Sequence, residues 1–166
     1  MLLLASAAFA QDDSGSIQNS MGYANLSFPD LITGERTHHS GFVNQTDLNL
    51  SKRWGFDNLM GVYSLGQGGT LISDFVGGKV MFPRGKFVPY ALAGIGGGYF
   101  SVSSSVVSGS ASAFATRYGG GIKIPINDTI AWKVEYSRMN FHLPTSANSS
   151  WTSGNNLGAG IVFNIN

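Results

Sequence analysis

The sequence has no cysteine, few charges and no long apolar run, and each shortage excludes something. The missing cysteine rules out disulfide staples but leaves the compartment open, since a fold closed by backbone hydrogen bonds needs none. Charged residues make up only 11% of the 166-residue chain, against about 25% in an ordinary soluble domain. That is too few to cover a soluble surface. The net charge of +1 and isoelectric point near 8.0 point to neither nucleic acid nor a polybasic membrane anchor. No apolar run approaches the roughly 18 residues that a transmembrane helix requires, so any membrane insertion is by strands.

What is present begins with MLLLASAAFA, a short apolar run ending in the small-x-small pattern Ala8-Phe9-Ala10 before the polar Gln11-Asp12-Asp13. It reads as the back half of a secretory signal peptide, dividing the chain into a signal remnant (1–10) and a single β-barrel domain (11–166). From Gly22 to Ile165 the chain reads as eight β-strands whose connections alternate in length. Lys52–Gly55, Pro83–Lys86 and Pro125–Asp128 are tight, whereas Pro29–Gly41, Val102–Ser112 and His142–Asn155 are long. The connection Gly66–Gly69 is short where the pattern wants a long one. This alternation predicts an all-β, eight-stranded, antiparallel up-and-down transmembrane barrel, with tight turns and both termini periplasmic and long loops outside.

The pleat of a strand sends successive side chains to opposite faces. In the seventh predicted strand Ile130, Trp132, Val134 and Tyr136 oppose Ala131, Lys133, Glu135 and Ser137. The eighth sets Leu157, Ala159, Ile161, Phe163 and Ile165 against Asn156, Gly158, Gly160, Val162 and Asn164. The sixth sets Phe114, Thr116, Tyr118, Ile122 and Ile124 against Ala115, Arg117, Gly119, Gly121 and Lys123. In the second, Phe42, Leu48 and Leu50 oppose Val43, Gln45, Asp47 and Asn49. In the third, Leu59, Tyr63 and Leu65 form the apolar face against Asn58, Met60 and Ser64. The first, fourth and fifth strands are ambiguous in facing.

Alternation alone does not separate a membrane barrel from a soluble one with an apolar interior. Two patterns favour the membrane. The polar face is mainly Gly, Ala, Ser and Asn with isolated charges, where a soluble exterior carries many Lys and Glu. Aromatic residues also gather near predicted strand ends: Trp54, Phe56, Phe82 and Phe87 at the turn side, and Phe28, Tyr63, Tyr99, Phe100, Phe114 and Phe141 at the loop side. They read as two interfacial girdles, with outer-membrane lipid as the partner.

The stretches Leu50–Phe56 (LSKRWGF), Phe87–Gly96 (FVPYALAGIG), Arg117–Lys123 (RYGGGIK) and Asn156–Phe163 (NLGAGIVF) resemble the bacterial outer-membrane β-barrel domain family, which includes opacity-protein-like surface antigens and small barrels like the membrane domain of outer membrane protein A. The resemblance covers essentially the whole mature chain. It implies an outer-membrane location and passage through periplasmic chaperones and the barrel assembly machinery. Many such barrels end in an aromatic residue; here Phe163 is followed by Asn-Ile-Asn.

Some small barrels act on lipid A, a chemistry that needs a His and a Ser with an acidic partner. His38, Ser40 and Glu35 imitate a deacylase set, yet all fall within six residues of a predicted polar loop. Adjacent His38 and His39 do not converge on one ion, and no third ligand is near. The clusters Gly94–Gly98 and Gly119–Gly121 lack the Lys-Ser/Thr ending of a phosphate loop. No catalytic residue, cofactor or metal is therefore predicted. The more informative set is Arg117, Lys123, Lys133 and Glu135, all on the polar face of one hairpin. An odd-numbered turn of three or five residues places Glu135 opposite Arg117 or diagonal to it, and a carboxylate in a narrow lumen needs such a partner. This set reads as a plug in a monomeric barrel whose role is structural or surface contact through its loops, with a small passive pore or a lipid A-modifying enzyme as alternatives.

Overall fold

The computed structural model describes residues 15–29, 35–66, 68–103, 108–143 and 150–165. The proposed signal segment 1–10 lies outside them. The strands are β1 (Ser16–Pro29), β2 (Arg36–Asn49), β3 (Trp54–Gly66), β4 (Gly69–Met81), β5 (Val88–Ser103), β6 (Ser108–Pro125), β7 (Ile130–Leu143) and β8 (Ser150–Ile165). Each pairs antiparallel with its neighbour, and β1 pairs with β8, so the sheet closes on itself. Three of the predicted loops are largely strand. β2 already begins at Arg36, β5 and β6 continue to Ser103 and from Ser108, and β7 and β8 continue to Leu143 and from Ser150. Their Ser, Thr and Gly residues resemble loop by composition, but each forms ladder hydrogen bonds with the facing strand, which settles the matter.

The register fixes the shape. Cross-strand partners lead from Ser16 through Asn49, Gly55, Lys79, Leu92, Gly119, Ser137 and Asn156 back to β1 at Leu26, ten residues beyond the start. Ten residues of about 3.3 Å against eight strands about 4.8 Å apart tilt the strands by about 40° and give a wall radius of about 8 Å. Only side chains fit inside such a wall.

The tight turns have local causes. Asn127 Oδ1 accepts from the backbone N–H groups of Thr129 (2.9 Å) and Ile130 (2.8 Å), closing the β6–β7 turn. The β3–β4 connection, too short for the predicted pattern, is made possible by Gly66 and Gly68 at φ of 75° and 78°, where a side chain would be strained.

The facing of β2, β6, β7 and β8 is that read from the sequence. β3 is inverted. Leu59, Tyr63 and Leu65 point inward, while Trp54, Phe56, Asn58, Met60, Val62 and Ser64 point outward. β1 turns Gln18, Ser20, Ala24, Leu26 and Phe28 inward; β4 turns Leu71, Ser73, Phe75, Lys79 and Met81 inward; β5 turns Tyr90, Leu92, Gly98 and Phe100 inward. Of the predicted girdle, Trp54, Phe56, Phe82, Phe87 and Phe114 stand exposed on the outer wall. Tyr63, Phe100 and Phe141, together with Phe28, are instead buried inside. They belong to an apolar cluster that fills the end of the lumen opposite the tight turns, a filling the polar-lumen rule does not anticipate.

Candidate functional site

The interior has two storeys. Near the tight turns it is polar, with four buried bases (Lys79, Arg117, Lys123, Lys133) and three buried acids (Asp47, Asp57, Glu135) among the described residues. Arg117 is the hub. Its Nη1 donates to Asp57 Oδ2 at 2.7 Å and its Nη2 to Glu135 Oε1, so one guanidinium serves two carboxylates from β3 and β7. Such paired N–H groups suit a planar fork. Tyr90 Oη donates to the other Glu135 oxygen at 2.8 Å, and Lys133 Nζ stands 4.0 Å from it. Lys133 Nζ also donates to Ser20 Oγ (2.8 Å) and Gln45 Oε1 (2.7 Å), Gln45 Nε2 donates to Asp47 (3.0 Å), and Lys79 pairs with Asp47 at 2.7 Å. Lys123 Nζ donates to Gln18 Oε1 at 3.1 Å.

Arg117 and Glu135 meet by a different geometry from that expected. Met139 lies opposite Arg117 and Gly121 opposite Glu135, so the two are neither opposite nor diagonal but four residues apart in register. The turn causes the offset: the N–H groups of Ile126 and Asn127 both reach Ile130 O, and Pro125 pairs with Ala131. The contact survives because Arg117 is long and the inward positions after it on β6, Gly119 and Gly121, place no side chain in the way. A Cβ on Gly121 would fall 2.7 Å from Tyr90 Cζ, so that site has room only for hydrogen.

Sequence reasoning missed Asp57, Lys79 and Tyr90. Asp57 follows Phe56 and lies between outward-facing Phe56 and Asn58, so the correct phase of β3 finds it. Lys79 and Tyr90 lie on β4 and β5, whose facing the sequence left open.

The upper storey is apolar. Phe141 contacts Phe28 (centroids 5.6 Å, 84°), Phe100 (5.4 Å, 78°) and Phe75 (6.3 Å, 63°) edge-on, the preferred aromatic geometry. Leu26, Leu59, Leu71, Met139 and Tyr63 complete the packing. Gly98 admits the Phe141 ring, since a Cβ there would lie 2.6 Å from Phe141 Cε1. Tyr63 keeps its hydroxyl satisfied by donating to Asn156 Oδ1 at 3.1 Å.

His38, His39 and Ser40 lie on β2 and not in a loop. His39 turns inward, where its Nε2 is 2.7 Å from Thr37 Oγ1, while His38 turns outward, with Nδ1 2.9 Å from Asn25 Oδ1. Ser40 Oγ meets Tyr23 Oη at 2.7 Å, so the outward histidine and serine each bond β1. Among the described residues no three metal-ligating side chains converge.

Solved structures share this architecture. Neisserial surface protein A aligns with a TM-score of 0.70 at 12% identity, over 89% of this chain and 95% of that one. The N-terminal barrel domain of Pseudomonas aeruginosa OprF gives 0.67 at 15%, over 93% and 100%, and the Yersinia pestis attachment invasion locus protein Ail gives 0.62 at 19%, over 92% and 99%. Sequence comparison with curated proteins finds no match. The family described as outer membrane protein beta-barrel domain matches residues 1–164, and with that span, the closed eight-stranded wall and the outward apolar faces, the chain belongs to this family of the outer membrane.

Proposed function

We propose that this barrel is a closed, non-conducting scaffold that serves envelope structure or surface contact at its outer rim. The observation that carries this reading is the lumen itself. An ion entering from outside meets the Phe28, Phe75, Phe100 and Phe141 packing, which offers no ligand to replace its water shell, and beyond that meets paired charges. Above the apolar wall, β1, β2, β7 and β8 continue outward with Asn25, Ser27, His38, Ser40, Arg138 and Ser153 on their outer faces. Arg138 Nη2 donates to Ser153 Oγ at 2.9 Å, tying β7 to β8 at this level. A polar rim of this kind suits contact with a partner outside the cell. The names of two similar structures, a surface protein and an attachment invasion locus protein, accord with that role.

A lipid A-modifying activity draws no support from β2, where His38 and Ser40 engage β1 residues and not each other. The discriminating experiment is single-channel recording of the purified barrel in planar bilayers. The closed reading expects no discrete conductance steps. Stable steps from the wild-type barrel would replace it with the small-pore reading.

A further inference from the structure

One sector of the outer wall departs from the rest. On β5 to β8 the mid-wall residues are apolar, including Ile95, Ile122, Val134 and Leu157. On β1 to β4 a continuous set of polar side chains points outward at the same level: Asn19, Asn44, Thr46, Asn58 and Asp74. They are neighbours in the ladder. Asn19 faces Thr46, Thr46 faces Asn58, and Asn44 and Asp74 both face Met60. Asn19 Nδ2 donates to Asn44 Oδ1 and to Thr46 Oγ1, both at 3.2 Å, and Asn44 Nδ2 donates back to Asn19 Oδ1 at 3.2 Å. Asn58 Nδ2 donates to Asp74 Oδ1 at 2.8 Å and to Phe75 O at 3.3 Å. The second oxygen of Asp74 has no donor among the described residues. Exposed apolar side chains bound the set, with Val62 and Ile72 above and Leu48, Phe56 and Val76 below and Met60 between Asn44 and Asp74, so Asn19, Asn44, Thr46 and Asn58 lie within the lipid-facing zone and Asp74 at its upper edge.

The strand tilt changes its shape. Although the five residues come from four strands, each step to the next strand is offset by a step along it. With about 3.3 Å per residue, 4.8 Å between strands and a 40° tilt, they occupy a strip roughly 8 Å wide and 15 Å tall, parallel to the barrel axis. Two upright cylinders touch along such a strip. Lipid tails supply no partners to the free amide valences, and polar groups in that setting drive association between transmembrane elements.

We propose that this strip is a contact between two copies of this chain, side by side and inserted in the same sense. It is an alternative to the single-copy expectation drawn from the sequence. Two copies so inserted are related by a two-fold axis along the membrane normal, and a two-fold contact requires a self-complementary surface. Carboxamides meet that requirement because each both donates and accepts. An axis through Thr46 sets Thr46 against Thr46 of the second copy and Asn58 against Asn44 of the second copy, where the second N–H of Asn44 meets Asn58 Oδ1, and the two-fold repeats that contact on the other side of the axis.

The absence of native cysteine makes the test direct. Thr46→Cys, a near-isosteric change, and Val134→Cys, at a similar height on the opposite wall, are each oxidised in outer membranes of expressing cells. The result expected is a disulfide-linked band of twice the chain's mass for Thr46→Cys and none for Val134→Cys. Adding Asn44→Leu and Asn58→Leu to Thr46→Cys should lower the linked fraction at least ten-fold while the barrel keeps its heat-modifiable gel migration, which reports folding independently. Equal linkage at positions 46 and 134, absence of linkage at 46 in the folded barrel, or linkage at 46 to a different protein would each overturn the proposal.

Discussion

Replacing Arg117 with methionine, which keeps much of the volume and removes the charge, is the sharpest test of the interior network. Arg117 serves Asp57 and Glu135 at once, and the side chains of those acids are only 1% and 5% exposed. Charge centres about 4 Å apart at an effective dielectric of about 20 attract by about 4 kcal/mol per pair before desolvation is counted. Removing the shared cation strands buried Asp57 and leaves Glu135 with only Tyr90 and the more distant Lys133, and breaking one such pair typically costs about 3–5 kcal/mol. The expected loss is at or above the top of that range. Glu135→Gln should cost less, because Arg117 retains Asp57. The double variant should lose less than the sum of the two by about 1–3 kcal/mol, and the Arg117–Asp57 cycle should behave likewise. Urea unfolding in lipid vesicles reads the effect through Trp54, Trp132 and Trp151, all exposed on the outer wall and so sensitive to insertion. Additive losses in both cycles would show that Arg117 holds neither acid and refute the reasoning.

Unboiled protein should migrate apart from boiled protein on gels, because a wall with paired backbone and no free edge resists detergent; identical mobility would contradict closure. Val134→Arg places a charge at mid-wall in lipid and should cost about 2–4 kcal/mol by the same urea assay, whereas arginine at exposed Ile126 in the β6–β7 turn should be nearly neutral. Gly98→Val forces the Phe141 ring from its seat and should destabilise by about 1–3 kcal/mol. Phe28→Ala combined with Phe141→Ala should produce conductance in bilayers where the wild type has none, if the aromatic packing is the seal.

The sequence disclosed the barrel because its last three strands obey one simple rule: Ile130 to Ser137 alternates without a break, and β6 and β8 nearly so. The rule assumes a wet interior and a dry exterior. β3 violates both halves of it. Leu59 and Tyr63 face an interior made apolar by phenylalanine, and Asn58 faces outward into the polar strip, so the apolar residues point the wrong way for the rule. With β3 out of phase, Asp57 was hidden, and with it the second partner of Arg117. Phe28, Phe100 and Phe141 resemble girdle residues in the sequence for the same reason, since strand-end aromatics on the two faces look alike in one dimension. The Arg117–Glu135 contact was legible as a pairing of opposite charges on one face, but its offset depends on how the β6–β7 turn folds.

The ten-residue offset in closing the wall has a consequence for assembly. Asp57 enters the network from β3 and Arg117 from β6, sixty residues apart, while Glu135 comes from β7 and Tyr90 from β5. No single hairpin contains more than one edge of this arrangement, and the half of the chain from β1 to β4 brings Asp47, Asp57 and Lys79 whereas the other half brings Arg117, Lys123, Lys133 and Glu135. A partly built sheet thus holds unequal, unneutralised sets of charge on its two sides. The Arg117–Asp57 pair, which joins the two halves, forms only when the sheet has curled far enough for opposite walls to meet, so it acts as a latch on closure, favouring the last seam between β1 and β8 over an open sheet.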